Sequence, residues 1–367
     1  MRVLQFAKYS LATLATAALA LSGCGSDSAA PLVPFNPAGA SADFDAVNTT
    51  FASPVYTSFS TQSLLFDAAL GGAPLVSASA AALDVHGGGT AGELQVAAAR
   101  SAERIARIVP RPAGAGLSAA SAAIPAQYLG KTFVYSGGSY VVSAETGAPA
   151  NGVRFILYAL DPVTLLPAVP LDPTGYVDLI DLSSGSTTAA RVVVVSGTTT
   201  YLDYRVSATS TVSSGLVAVV GFITDGATRA TFSLRSTLTY ASGLTLSYSL
   251  DVPQRGLSID LTMSASGLTP VASNIAVILD MRGQNGWVRL TGEFNATGGV
   301  LNVAINGTPF ATITSTTGAA PVITGAAGQP LAQDELDALQ RVFDFADGSF
   351  ASFDEMVTPV GSLLGAG

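Results

Sequence analysis

From Arg191 to Ser315 the chain alternates apolar residues with small polar ones, run after run. In 201–208, Leu202, Tyr204, Val206 and Ala208 share one parity, and Asp203, Arg205 and Ser207 share the other. A period of two is that of a β-strand with one dry and one wet face. The same reading predicts strands over 201–209, 216–224, 229–240, 244–252, 257–265, 275–282, 287–295, 301–305 and 310–314. Asp225-Gly226, Pro253 to Gly256, Asn285-Gly286, Gly298-Gly299 and Asn306-Gly307 fall between them. Asn-Gly and Asp-Gly pairs supply the positive φ that tight hairpins need. No stretch between the runs is long enough for a crossover helix, so the strands are expected to pair antiparallel.

The pattern extends upstream more loosely. Runs at 131–136 and 140–144 flank Gly137-Gly138, a hairpin signal. Residues 153–159 are apolar on both parities, as in a strand buried on both faces. A proline-rich loop with Pro162, Pro167, Pro170 and Pro173 separates them from strands at 176–182 and 191–195. Ser-Gly-Leu recurs at 214–216, 242–244 and 266–268 as turn-to-strand punctuation.

A period near 3.6 occurs only towards the two ends. A short helix is expected around 60–69, among Phe51, Tyr56, Phe59 and Phe66. Thr90 and Glu93 form a capping box and Pro110 stops the run. Leu94, Ala98, Ile105 and Ile108 gather on one face of that helix, with Arg100, Arg104 and Arg107 on another and Arg111 just past the proline. These arginines are either a solvated face or a contact for anionic headgroups. Near the C-terminus Pro330, Asp334 and Glu335 open a helix whose apolar stripe is Leu336, Leu339, Val342, Phe343 and Ala346, with Phe350, Phe353 and Met356 in a second short one.

About a dozen strands in series leave an edge problem unless the sheet curls. The predicted fold is therefore mainly β: a large curved antiparallel meander, half-barrel or barrel-like, with amphipathic helices from the N- and C-terminal regions packed on it. The expected divisions are a leader over 1–23, a tether over 24–50, an Ala-rich helical region over 51–126, the β domain over 127–325 and a C-terminal helical segment over 326–367.

Composition sharpens this picture. Charged residues are only 11% of the chain, so the wet faces are built from Ser and Thr hydroxyls rather than ions. A net charge of −9 argues against nucleic acid as a partner. The single cysteine, Cys24, excludes an intrachain disulfide and a cysteine metal centre. Before it come Arg2 and Lys8, then an apolar run from Tyr9 to Leu21, too short to span a bilayer but suited to export.

The ending Leu21-Ser22-Gly23-Cys24 resembles the lipobox of bacterial lipoproteins. The resemblance covers these residues alone. It implies that Cys24 is diacylated and becomes the new N-terminus, holding the protein on a membrane. Gly25, in place of an aspartate, implies the outer membrane. Loss of Arg2 and Lys8 with the leader would take the charge from −9 to −11. The layout expected for the mature part, an unclosed barrel covered by helices, resembles the lipoprotein carriers of the bacterial envelope, with no shared motif.

Catalytic signals are sparse. His86-Gly87-Gly88-Gly89 resembles the oxyanion loop of lipases, but the chain has no Gly-x-Ser-x-Gly elbow and no second histidine. Gly130-Lys131-Thr132 lacks the leading glycine of a phosphate loop and precedes a strand rather than a helix. The acidic residues Asp344, Asp347, Asp354 and Glu355 fail calcium-loop spacing, and Asp161, Asp172, Asp178 and Asp181 show no metal spacing. No cofactor or metal is expected. A hydrolase would need a carboxylate pair assembled by the fold. Trp287 and Arg289 share the polar parity of their strand, either to stack on a ligand or to pack on a neighbouring strand.

Two functions fit best: a lipid-anchored envelope protein whose curved sheet binds an apolar ligand or lipid, and an envelope module that presents a Ser/Thr-rich surface to a protein or polysaccharide. The expected partners are the membrane, through Cys24, and that ligand or envelope partner. A transmembrane β-barrel would show similar alternation, but the lipobox and the helical C-terminal region argue against it.

Overall fold

The computed structural model describes residues 42, 49–50, 53–63, 65–70, 123–239, 242–266, 274–284, 286–295, 297–316, 322–333, 335–337 and 339. Cys24, His86 to Gly89, the helix expected over 90–110 with Arg100, Arg104, Arg107 and Arg111, and the acidic residues from Asp344 onwards lie outside them.

Alternation of the kind seen at 201–208 is realised as fifteen strands in one curved, open sheet. They are β1 (Lys131–Ser136), β2 (Ser139–Ser143), β3 (Gly152–Tyr158), β4 (Pro173–Asp181), β5 (Thr187–Ser196), β6 (Thr199–Ser210), β7 (Ser214–Thr224) and β8 (Arg229–Thr239). There follow β9 (Gly243–Val252), β10 (Leu257–Ser266), β11 (Asn274–Gly283), β12 (Gly286–Asn295), β13 (Gly298–Ile305), β14 (Thr308–Thr316) and β15 (Val322–Gly325). From β3 to β15 each strand pairs antiparallel with the next. The N-terminal hairpin departs from the meander: β1 lies between β2 and β3 and runs parallel to β3. The edges are therefore β2 and β15, and the sheet does not close into a barrel. Both edges are short strands, which limits unpaired backbone available to another chain.

The register aligns the dry parity into continuous rows. One runs Val153, Leu179, Val192, Tyr204, Gly221, Phe232, Leu250, Ile259, Met281, Val288 and Ile305 across successive strands. Leu202, Phe232, Leu246, Ile259 and Val288 all lie on this side and are buried. Gly221 interrupts the row for a reason. A Cβ there would collide with the Asp203 carbonyl oxygen and with Tyr204, and its absence lets the Tyr204 and Phe232 rings meet at 6.3 Å between centroids.

At the β2 edge the dry face is covered by two helices, α1 (Pro54–Ser63) and α2 (Phe66–Ala69). Helix α1 lies against β3–β6 and α2 against β2. Phe66 stacks on Phe155 with centroids 4.1 Å apart, Phe155 stacks on Phe133 at 4.6 Å, and Tyr140 meets both Phe66 and Phe155 edge-on. Such rings contribute roughly 2–3 kcal/mol each on burial and fix the helices to the sheet.

A polar link completes this corner. The parallel pairing of β3 with β1 covers only Val153 to Phe155, so the far end of β3 lacks a partner strand on that side. Gln62 of α1 supplies one: its Nε2 donates to the Tyr158 carbonyl at 2.7 Å and its Oε1 accepts from the Tyr158 amide at 3.2 Å. The Tyr140 hydroxyl also reaches Gln62 Oε1, at 2.6 Å. At the other end of the chain, residues 333, 335–337 and 339 are helical, Glu335 accepts from the Ala332 amide at 2.8 Å, and Leu339 and Leu331 pack against the core.

Candidate functional site

Strands β9 to β14 end together at one rim of the sheet, where wet-parity residues together with Leu244, Ala265, Ile275 and Phe294 of the dry parity line a groove of about 1020 Å³. Its lining is fixed by register: Thr245 faces Ser264, Ser264 faces Ala276, Ala276 faces Glu293, Glu293 faces Val300 and Val300 faces Thr314. Thr245, Ser264, Glu293 and Thr314 are exposed, as are Asn274 and Asn295 beside them. Gly298 is part of the floor. Its φ is +146°, and a Cβ there would collide with the Ser315 carbonyl oxygen, so only glycine lets β13 begin this close to β14. The Asn295 side chain is already engaged by the Thr297 amide and hydroxyl at 2.9 and 2.7 Å. The groove thus presents neutral donors and acceptors and one carboxylate, Glu293, beside an apolar share of lining that includes Leu244, Ile275, Phe294 and Val300.

Two arginines elsewhere on the wet face are paired with aspartates. Arg154 and Asp178 form a two-pronged ion pair at 2.7 and 2.8 Å, with the guanidinium 3.7 Å from the Tyr176 ring centroid. Arg191 and Asp203 repeat the arrangement at 2.8 and 2.6 Å. Trp287 is not a free stacking platform. Its Nε1 donates to Asp280 at 3.0 Å, and Arg282 and Arg289 lie 5.3 and 6.0 Å from its ring. The packing alternative for Trp287 and Arg289 is therefore the one realised.

Asp161 caps the loop between β3 and β4: its Oδ1 accepts from the Val163 and Thr164 amides and the Thr164 hydroxyl at 2.8–3.0 Å. Those hydrogen bonds, the Thr164 amide foremost, hold its carboxyl below the usual aspartate value of 3.8. Tyr140, Tyr204 and Tyr248 are shifted the other way, because burial disfavours their phenolates. No group of three or more His, Cys, Asp or Glu side chains able to hold a metal ion occurs among the described residues. Asp161, Asp172, Asp178 and Asp181 are divided among separate tasks: Asp178 pairs with Arg154, and Asp181 accepts from the Ser183 amide at 2.8 Å.

The sequence singled out neither the groove nor the apolar tip of the β3–β4 loop. Its hydroxyls were legible as a wet parity. Which strand ends gather at one rim depends on register, which a single sequence does not state. Compared with protein-family models, curated proteins and solved structures, the chain matches none.

Proposed function

We propose that this protein is a non-enzymatic binding module of the cell envelope, held by acyl chains on Cys24, whose groove at the β9–β14 rim engages a neutral, hydroxyl-rich polymer such as a polysaccharide. One observation carries the binding reading: the groove sets hydroxyl and amide groups beside apolar side chains over a glycine in its floor, while Arg154 and Arg191 elsewhere on that face are engaged by Asp178 and Asp203. Hydroxyl-rich ligands are held by such neutral donors and acceptors, each bond contributing about 1 kcal/mol net.

The test is a titration of the purified chain with neutral oligosaccharides of increasing length. Affinity is expected to rise with length until the groove is filled, and Ser264→Trp, which obstructs it, to abolish binding with the unfolding midpoint unchanged. Absence of binding to any length refutes the polysaccharide reading. The anchor is tested separately: the mass of the N-terminal peptide from membranes should show acylated Cys24, and Cys24→Ser should abolish that modification. A second reading, an apolar ligand on the dry face, draws on the length of its apolar rows. Over β2–β6 such a ligand would compete with α1 and α2 for the same surface. Extraction of purified protein with organic solvent, followed by mass spectrometry, distinguishes the two.

A further inference from the structure

The connection from β3 to β4, residues 159–172, carries Val163, Leu165, Leu166, Val169 and Leu171 with their side chains in solvent. Val163 and Val169 are 88% and 89% exposed, as open as side chains in an extended peptide. Scattered exposed aliphatics are ordinary, but five within nine positions of one loop form a patch that calls for an apolar counterpart. The turns at the same end of the sheet, at 137–138, 197–198, 225–228, 253–256 and 306–307, are polar or glycine-rich.

We propose that this loop inserts into the interfacial region of a lipid bilayer. Three observations favour a bilayer over a groove on another protein. The exposed aliphatics include the adjacent pair Leu165 and Leu166 together with residues on both sides, so they splay around the tip rather than forming one stripe. A fluid medium accommodates all of them at once. The loop also pairs most of its own amide donors from 159 to 168, which lowers the cost of entering an apolar phase. Pro162, Pro167 and Pro170 have no amide hydrogen; the Asp161 amide donates to the Leu166 carbonyl, Leu165 to Asp161, Ala168 to Ala159, and Val163 and Thr164 to the Asp161 carboxylate.

Charge is the third observation. No lysine or arginine lies between Arg154 and Arg191, and the only ionic side chains of the loop, Asp161 and Asp172, mark its base, where the Ala159 amide donates to the Asp172 carbonyl. A loop without cations, on a chain of net charge −9, gains nothing from anionic lipid, so insertion should be at least as strong on neutral membranes as on acidic ones. This contact does not depend on the groove or on acylation of Cys24.

The full chain bearing Cys24→Ser provides the test, with a single new cysteine carrying an environment-sensitive fluorophore at Val169→Cys or, as control, at Val212→Cys. Val212 is 79% exposed in the β6–β7 turn at the opposite end of the sheet. With phosphatidylcholine vesicles, the label at 169 should shift to the blue, brighten several-fold and be quenched by lipids carrying a nitroxide high on the acyl chain. The label at 212 should stay in water. Val163→Asp with Leu166→Asp should reduce the response at 169 at least tenfold. The proposal is overturned if the chain stays off the vesicles, if the label at 169 on bound chain is as wet as that at 212, or if it shifts equally without lipid, which would indicate a protein contact instead.

Discussion

Ser236 stands on the dry parity of β8, flanked across the sheet by Val217 and Leu246, and its buried hydroxyl has no hydrogen-bond partner in the structure. A hydroxyl in that position loses its hydration without replacement. Ser236→Ala is therefore expected to leave stability unchanged or raise it by up to about 1 kcal/mol, read from the denaturation midpoint. Gln62 is the opposite case. Replacing it with Leu strands the Tyr158 amide and carbonyl, while the Tyr140 hydroxyl keeps the Ile156 carbonyl, and should cost about 2–3 kcal/mol in the same measurement. Tyr140, Tyr204 and Tyr248 add a pH dependence. Their phenols are held above the ordinary value of 10.0 by burial, so the folded state retains these protons more tightly than the unfolded chain. The associated stability is present below pH 10 and lost as pH rises beyond it. Ultraviolet titration should show these tyrosines ionising only together with unfolding.

At the scale of elements, the loop between β3 and β4 has its own switch. The depressed Asp161 carboxyl stabilises its turn at pH values above 3.8, and this is lost as pH falls through the lower folded value. Protection of the Val163 and Thr164 amides relative to their intrinsic exchange rate should fall on acidification, and Asp161→Ala should produce the same loosening at neutral pH. How legible the elements were depended on contrast between faces. Strands β6 to β14 were readable, often to within a residue or two, because one parity is apolar and the other is not. Strand β15, only Val322–Gly325, was missed because four residues carry too little pattern. The short helix expected around 60–69 is in fact two, α1 beginning at Pro54 and α2 ending at Ala69, since their burial is decided by the aromatic cluster they meet rather than by a clean stripe. The parallel pairing of β1 with β3 was illegible: a hairpin signal gives the partner on one side of a strand and leaves the other side unspecified. Positions such as Thr314 were legible as wet, but their convergence on a groove follows from the five pairings that join β9 to β14.

For the whole molecule the two sheet edges matter most. Strand β15 shields β14, a nine-residue strand with Ile313 and Ala311 on its dry face. Thr324→Pro removes a backbone donor from the pairing with Thr312 and should unpair β15. The expected result is concentration-dependent association in light scattering with a nearly unchanged unfolding midpoint, because β14 then becomes a longer exposed edge. A monodisperse variant at all concentrations would show that β15 has no such role.

The order of the strands also bears on how the chain acquires its shape. Each strand after β3 finds its partner in the segment made immediately before it, so loop closure stays inexpensive at every addition. A polypeptide delivered N-terminus first can lay down this ribbon hairpin by hairpin, without waiting for its last residues. The link from Gln62 to Tyr158 can likewise form before β5 exists, and α1 gains its remaining contacts as β5 and β6 arrive.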